Sequence, residues 1–199
     1  MLFRSENNYR YTKALADWCI KNGARFIYAS SGATYGDGSL GFKDNHDGLT
    51  KLHPINRYGY SKHFFDLTAL DSGWLDNIVG LKFFNVFGPN EYHKGDMKSV
   101  ICKAHQQILD TKEIKLFKSY NSKYPDGGQL RDFVYVKDCV DIMWWFLQNK
   151  TANGIYNIGT GQARTWNDLA KGLFSAMGKS PSINYIEMPE QLRTQYQYY

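Results

Sequence analysis

The stretch Arg25-Phe-Ile-Tyr-Ala-Ser-Ser-Gly-Ala-Thr-Tyr-Gly36 carries the first decision about the fold. Residues 25–29 read as a buried strand, and the change to small residues at Ser30 marks a loop at its carboxyl end. In an open α/β sheet, ligands bind at that end of the strands. Upstream, residues 8–21 place Leu15, Trp18 and Cys19 at helical spacing, with Gly23 as the stop. Downstream, a polar segment reaches about Asn56, followed by a helix over 58–70 and a strand over 78–84 that runs into Asn85-Val-Phe-Gly-Pro89. A helix over 97–109, a short strand over 114–117 and a surface loop over 119–129, rich in Pro and Gly, come next. Strand 133–136, helix 138–148, strand 155–158, helix 167–177 and strand 183–186 complete the pattern. Helix and strand alternate throughout, which predicts the α/β class.

Bulk properties remove several classes of function. The 199 residues are 43% hydrophobic, with 12 Phe, 15 Tyr and 5 Trp, enough for a packed core. The longest apolar runs, such as residues 142–147, are too short to cross a bilayer, and no signal peptide opens the chain; a cytoplasmic protein is expected. Cys19, Cys102 and Cys139 fit neither a disulfide framework nor a metal motif and are expected as reduced, mostly buried thiols. The net charge of +5 comes from 24 Lys/Arg scattered among 19 Asp/Glu. No basic stripe stands beside exposed aromatics, so nucleic acid is not expected as a partner, whereas a mild positive field suits an anionic small molecule. His46, His53, His63, His93 and His105 have no second ligand at metal spacing, so no metal is expected.

Four groups of residues could carry chemistry. In Tyr58-Gly-Tyr-Ser-Lys62 the helical repeat brings the phenol and the ammonium to one face. A neighbouring cation favours phenolate, so Tyr58 could take a proton from a hydroxyl; two ordinary residues at helical spacing would look the same. Ser31 stands where it could hold that hydroxyl toward Tyr58, or serve only as a turn serine. Lys94, in a loop beside Gly95, could reach into a crevice and act as a base if buried beside another cation, or be a solvated lysine. Arg131 opens a strand, where it could grip a pyrophosphate bidentately or pair with Asp132.

Taken in order, these pieces resemble the extended short-chain dehydrogenase/reductase family, the NAD-dependent epimerases and dehydratases. Tyr28-Ala-Ser-Ser-Gly-Ala-Thr-Tyr-Gly36 resembles its serine loop, Tyr58 to Lys62 its Tyr-x-x-x-Lys pair, and Phe84-Asn-Val-Phe-Gly-Pro89 its strand-end asparagine. Arg131-Asp-Phe-Val-Tyr-Val-Lys-Asp138 resembles its substrate-side arginine strand, and Tyr156-Asn-Ile-Gly-Thr-Gly161 a further landmark. The resemblance implies part of a Rossmann-type, doubly wound parallel sheet plus a small α/β substrate-binding lobe. Residues 1–90 would be the second half of the dinucleotide domain and 91–199 mainly the lobe, with a segment near 130–160 returning toward the sheet. No Gly-x-x-Gly-x-x-Gly occurs, and the Gly-x-Gly-x-x-Gly spacing at Gly36-Asp-Gly-Ser-Leu-Gly41 leads into a polar segment rather than a helix, so about 80–90 residues of a first half are expected to be missing. The carboxyl end also looks cut.

Finer features resemble one branch of nucleotide-sugar epimerases: Asn7-Asn-Tyr9, Asn56-Arg-Tyr-Gly-Tyr-Ser-Lys62, Glu91-Tyr-His-Lys-Gly-Asp-Met97, Leu116-Phe-Lys-Ser119 and Leu192-Arg-Thr-Gln-Tyr-Gln197. That resemblance implies inversion at C6 of an ADP-linked heptose through transient oxidation to a ketone, with NADP in preference to NAD, for lipopolysaccharide core precursor synthesis. Tyr58 and Lys94 would be the two acid/base groups, Ser31 would assist, and Lys62 would bind the nicotinamide ribose. Asn7, Val86 and Lys94 would also lie at the cofactor. Ser31, Asn85, Asp96, Lys103, Phe117, Lys118, Ser119, Tyr120, Arg131 and Tyr196 would line the sugar-nucleotide site. Relatives often carry His where Lys103 stands. A full-length enzyme of this kind is expected to form a homo-oligomer. The isolated 199 residues are expected to turn over poorly or not at all. A UDP-sugar 4-epimerase and a non-catalytic fragment are the alternatives; a dehydratase is discounted because Gly32-Ala-Thr-Tyr35 offers no acid for eliminating water.

Overall fold

The computed structural model describes residues 6–193 and Tyr196. In chain order the strands are β1 (Ile27–Ser31), β2 (Val79–Phe83), β3 (Asn85–Phe87), β4 (Ile114–Phe117), β5 (Leu130–Arg131), β6 (Phe133–Tyr135), β7 (Gly154–Ile158), β8 (Arg164–Thr165) and β9 (Ile183–Ile186). The α-helices are α1 (Thr12–Lys21), α2 (Arg57–Asp71), α3 (Val100–Thr111), α4 (Val136–Gln148), α5 (Trp166–Ala176) and α6 (Glu190–Arg193). The chain divides into two units, residues 1–84 with 138–158 and residues 85–137 with 159–199.

The first unit is built on a parallel sheet in the order β1-β2-β7, so the expected α/β class with parallel strands is borne out. Parallel strands lie covered on both faces and therefore read as apolar runs; Val79, Leu81, Ile155 and Ile158 are all buried. Tyr28 pairs in register with Gly80. A Cβ on Gly80 would lie 2.5 Å from the Tyr28 ring, so the glycine leaves room for the phenol to cross the central strand. Phe26, Tyr28, Tyr35, Leu49, Phe65 and Ile78 form the core.

The second unit pairs β3 with β6 and β4 with β9 in parallel, and β5 with β8 antiparallel. Its core joins Ala104 and Ile108 of α3, Ile114 and Leu116 of β4, and Ala170 and Phe174 of α5. Thr165 and Asp168 form a reciprocal capping box at the start of α5.

Several boundaries differ from the sequence reading. Strand β1 runs over Ile27–Ser31 rather than 25–29. Arg25 instead directs its guanidinium to carbonyls beyond the end of α4, including Ala152 at 2.6 Å and Lys150 at 3.2 Å, the favourable place for a cation. Ser30 and Ser31 extend the strand because their backbones pair with Lys82 and Phe83. The expected helix over 8–21 opens as a wide π-turn, Glu6–Tyr11, before α1. The helix expected from 97 starts at Val100, where the Ser99 hydroxyl accepts from the Cys102 N–H at 3.2 Å. Residues Tyr92–Met97 form a separate 3-10 turn broken at Gly95 (φ 53°, ψ −127°). Val136, expected at a strand end, begins α4.

Among the described residues, no helix is long and apolar enough to cross a membrane. The three cysteines are free, Cys19 and Cys139 buried and Cys102 half-buried.

Candidate active site

Asn56 caps α2, its side-chain oxygen accepting from the Gly59 N–H at 2.8 Å. Gly59 lets the first turn of α2 press on the turn after β1: a Cβ there would sit 2.7 Å from the Ala33 carbonyl and 2.9 Å from Pro54. Tyr58 therefore stands beside the Gly32–Tyr35 turn, 39% exposed and available to a ligand. One helical turn on, the Lys62 ammonium donates to the Ala29 carbonyl of β1 at 2.9 Å. Burial lowers its pKa, and the carboxylate of Asp66 opposes that shift. Ser31 is buried, its hydroxyl oxygen accepting from the Ala33 N–H at 3.2 Å. Ser31, Tyr58 and Lys62 are thus carried by two abutting elements at the carboxyl end of a parallel strand. Asn7 is exposed in the π-turn, which is tied to α2 by a 3.0 Å bond from the Asn8 amide to the Ser61 hydroxyl.

Beneath this face, Asp66 of α2 and Lys82 of β2 form a fully buried ion pair at 3.2 Å. Tyr28 and Ser30 donate to the two oxygens of Asp66 at 2.9 and 2.7 Å, and Lys82 donates to the Thr34 hydroxyl at 2.5 Å. Removing one partner of such a pair costs about 3–5 kcal/mol because a charge is left buried alone. Sequence reasoning missed both residues; the one available signal was a lysine inside the otherwise apolar strand 78–84.

His63 adjoins this cluster, 3% exposed, with its Nδ1 buried and without a hydrogen-bond partner among the described residues. Burial depresses its pKa, Asp66 opposes, and Lys82 and His53 reinforce the depression. His63 therefore takes up a proton less readily in the folded chain than in the unfolded chain, where it does so near pH 6.5. The unfolded state binds more protons below that point, so stability falls as pH drops, by up to about 1.4 kcal/mol per pH unit. Urea unfolding between pH 7 and pH 5 should show this slope, and His63→Leu should flatten it.

In the second unit, Asn85 fixes its amide by donating to the Asp132 backbone carbonyl at 3.2 Å, with its own N–H on the same oxygen at 3.0 Å. The Asp132 carboxylate is occupied by Thr160 and Gly161 at 2.7–2.9 Å. It serves as a loop clamp. Val86 lies half-buried in β3, paired in register with Val134.

Lys94 differs from the buried-base reading. Its side chain is 43% exposed, and its ammonium lies 3.6 Å from Glu91, an anion rather than a cation. Glu91 is itself buried; burial pushes its pKa up, but bonds from the Ser99 hydroxyl, the Ser99 and Gly88 N–H groups and the charge of Lys94 bring it below the ordinary value. A cleft of about 880 Å³ includes Glu91, Gly95, Asp96 and Lys103 in its wall, and Lys103 donates to the Asp96 backbone carbonyl.

A second group gathers around Arg131. Its guanidinium lies 5.6 Å from the Trp166 ring and 5.4 Å from the Tyr196 ring, and Phe117 meets Tyr196 edge-on at 6.2 Å. The Trp166 indole N–H donates to the Tyr196 hydroxyl at 2.9 Å. Phe117, Arg131 and Tyr196 are therefore brought together, and Trp166 is a member that sequence reasoning missed. Lys118 pairs with Glu187 at 2.7 Å, while Tyr120 bonds Glu187 and Arg193. The Ser119 hydroxyl serves its own loop, donating to the Asn121 carbonyl at 2.9 Å and accepting from the Asn121 N–H at 3.2 Å. Of the motif at 192–197, residues 194, 195 and 197 lie outside the described residues.

Residues 4–159 match the model of the NAD dependent epimerase/dehydratase family. The chain belongs to that family. It is 60% identical over 195 residues to an ADP-L-glycero-D-manno-heptose-6-epimerase of Nitratidesulfovibrio vulgaris, covering 98% of this chain and 60% of the relative. A Fusobacterium nucleatum protein of the same name is 48% identical over 206 residues, covering 99% of this chain and 62% of the relative. The crystal structure of the Helicobacter pylori ADP-L-glycero-D-manno-heptose-6-epimerase superposes with a TM-score of 0.75 at 32% identity, covering 90% of this chain and 54% of that one. The Rossmann-like fold is thereby borne out. The chain spans about 60% of the length of the curated relatives it matches.

An epimerase of this family uses a nicotinamide dinucleotide, and the described residues fit one end of it. The Lys62 ammonium keeps two hydrogens beyond its bond to Ala29, at a strand end, where it could hold ribose hydroxyls. Among the described residues, no cluster of three or more His, Cys, Asp or Glu could hold a metal.

Proposed function

We propose that the full-length protein is an NADP-dependent epimerase that inverts C6 of ADP-D-glycero-D-manno-heptose to give ADP-L-glycero-D-manno-heptose. The observation that carries this reading is 60% identity, across 98% of this chain, to a relative of that name. A bound nicotinamide would supply the acceptor and donor of hydride. Tyr58 takes the proton of the substrate hydroxyl, and the charge of Lys62 stabilises the phenolate that does so. Ser31 holds the same hydroxyl. Inversion needs proton transfer on both faces of the carbon, and Lys94 is the second group, its ammonium held by Glu91. The first unit carries the dinucleotide. In the second, Arg131 with Phe117, Trp166 and Tyr196 offers a cation among aromatic faces, which suits a nucleoside diphosphate.

The test is proton NMR of ADP-heptose incubated with the full-length protein and NADP. Conversion toward a mixture of C6 epimers is expected, with UDP-glucose and UDP-galactose unchanged. Turnover of the UDP-sugars in place of ADP-heptose would sink the assignment. Mass spectrometry of the extracted dinucleotide separates NADP from NAD. In the same assay Trp166→Phe, which keeps an aromatic face and loses the bond to Tyr196, should raise KM about 3- to 10-fold with little change in kcat, as expected for one lost hydrogen bond in a binding site.

A further inference from the structure

A buried ion pair is weak evidence for stability, since hydrophobic residues of similar size often replace one without loss. Asp66 and Lys82 are fully buried at the base of the candidate active site. Their hydrogen bonds give them another role. Asp66 receives Ser30, the residue before Ser31, and Lys82 donates to Thr34, three residues after it. Thr34 passes the constraint on, because its hydroxyl hydrogen goes to the Ser31 carbonyl at 2.8 Å. The Lys82 ammonium also lies 4.6 Å from the centre of the Tyr35 ring, at the end of the same turn. On the other side, Asp66 sits one helical turn past Lys62 and two past Tyr58 on α2.

We propose that Asp66 and Lys82 are positioning residues: the pair fastens the Ser31 turn to α2, so that the Ser31 hydroxyl and the Tyr58–Lys62 face keep one relative geometry. The inference rests on the epimerase reading above. It concerns alignment and not substrate affinity, because neither residue reaches the surface. A displacement of about 1 Å in such an arrangement can cost on the order of 100-fold in rate.

The test uses the full-length protein and three variants. Asp66→Leu/Lys82→Met removes both charges together; it leaves the Tyr28 and Ser30 hydroxyls without their acceptor, so its urea midpoint should fall, though by less than that of a variant that strands one buried charge. Its kcat should fall about 100-fold with KM within about 3-fold, the split that misplaced reacting groups produce. Thr34→Val cuts the link from Lys82 to Ser31 and leaves the ion pair in place; kcat should fall about 10-fold or more, as for one misaligned contact. Thr34→Ser keeps the hydroxyl and should restore it. If the double variant does not fold, the two Thr34 variants decide. Wild-type kcat in the double variant, or equal kcat in Thr34→Val and Thr34→Ser, would overturn the positioning role alone. A wild-type protein that turns over no nucleotide sugar would overturn the functional reading and this inference with it.

Discussion

Tyr58→Phe is expected to slow turnover of the full-length protein about 1,000-fold, within the range general acid–base groups supply. The substitution removes one oxygen. The ring stands 39% exposed in the first turn of α2, so little packing depends on it. The cap from Asn56 to the Gly59 N–H uses backbone and not the phenol. The urea midpoint should therefore stay near wild type while kcat collapses, and KM should hold within about 3-fold because the loss falls on the transition state. Lys62→Met gives the complementary result. It removes the cation that favours phenolate, and it also removes the bond to the Ala29 carbonyl, so a smaller rate loss should come with reduced stability. Equal activity in Tyr58→Phe and wild type would transfer the proton-transfer role to another group and break the proposed mechanism at its centre.

The same residues show what the sequence could and could not reveal. Tyr58, Lys62 and Ser31 were legible because their spacing is local: four residues on a helix and a hydroxyl at a strand end each fix a direction. Arg131 was legible as a candidate cation, although it closes the short strand β5 rather than opening one, and its neighbour Trp166 was not legible. That contact is made across 35 residues by the antiparallel pairing of β5 with β8, two-residue strands too short to leave a periodic signal. The ion pair of Asp66 with Lys82 was hidden for a related reason. A helix and a strand meet there through packing, and a charged residue in a sequence carries no mark of which partner will cancel it. A helix start shifted where a serine took the cap, as at Ser99, since an N-capping hydroxyl fixes the first turn later than hydrophobic spacing suggests. Lys94, read as a loop residue, lies in the 3-10 turn Tyr92–Met97, and its electrostatic setting depends on Glu91, three residues away at the start of that turn.

Gly36→Ala should be among the most damaging single-methyl additions in the chain, costing about 4 kcal/mol. Two independent penalties meet at this position. The backbone has φ 68° and ψ −123°, a conformation that side chains other than hydrogen reach only with about 1–3 kcal/mol of strain. A Cβ would also stand 2.0 Å from the carbonyl oxygen of His53 and 2.9 Å from its carbon. That obstacle is backbone and cannot rotate aside, so the chain itself must shift, at about 1–3 kcal/mol more. The segment that would have to move, residues 53–56, delivers the Asn56 cap of α2, while Gly36 ends the turn that holds Ser31. Gly23→Ala separates the two penalties: Gly23 has a similar φ of 65° and, among the described residues, no atom within 4 Å of its would-be Cβ, so only the cost of a left-handed residue, about 1–2 kcal/mol, should appear. Urea unfolding of the two variants beside wild type measures the difference. A Gly36→Ala loss no larger than that of Gly23→Ala would mean that the His53 carbonyl yields freely, and the close approach of this turn to residues 53–56 would then not be what holds α2 against the Ser31 loop.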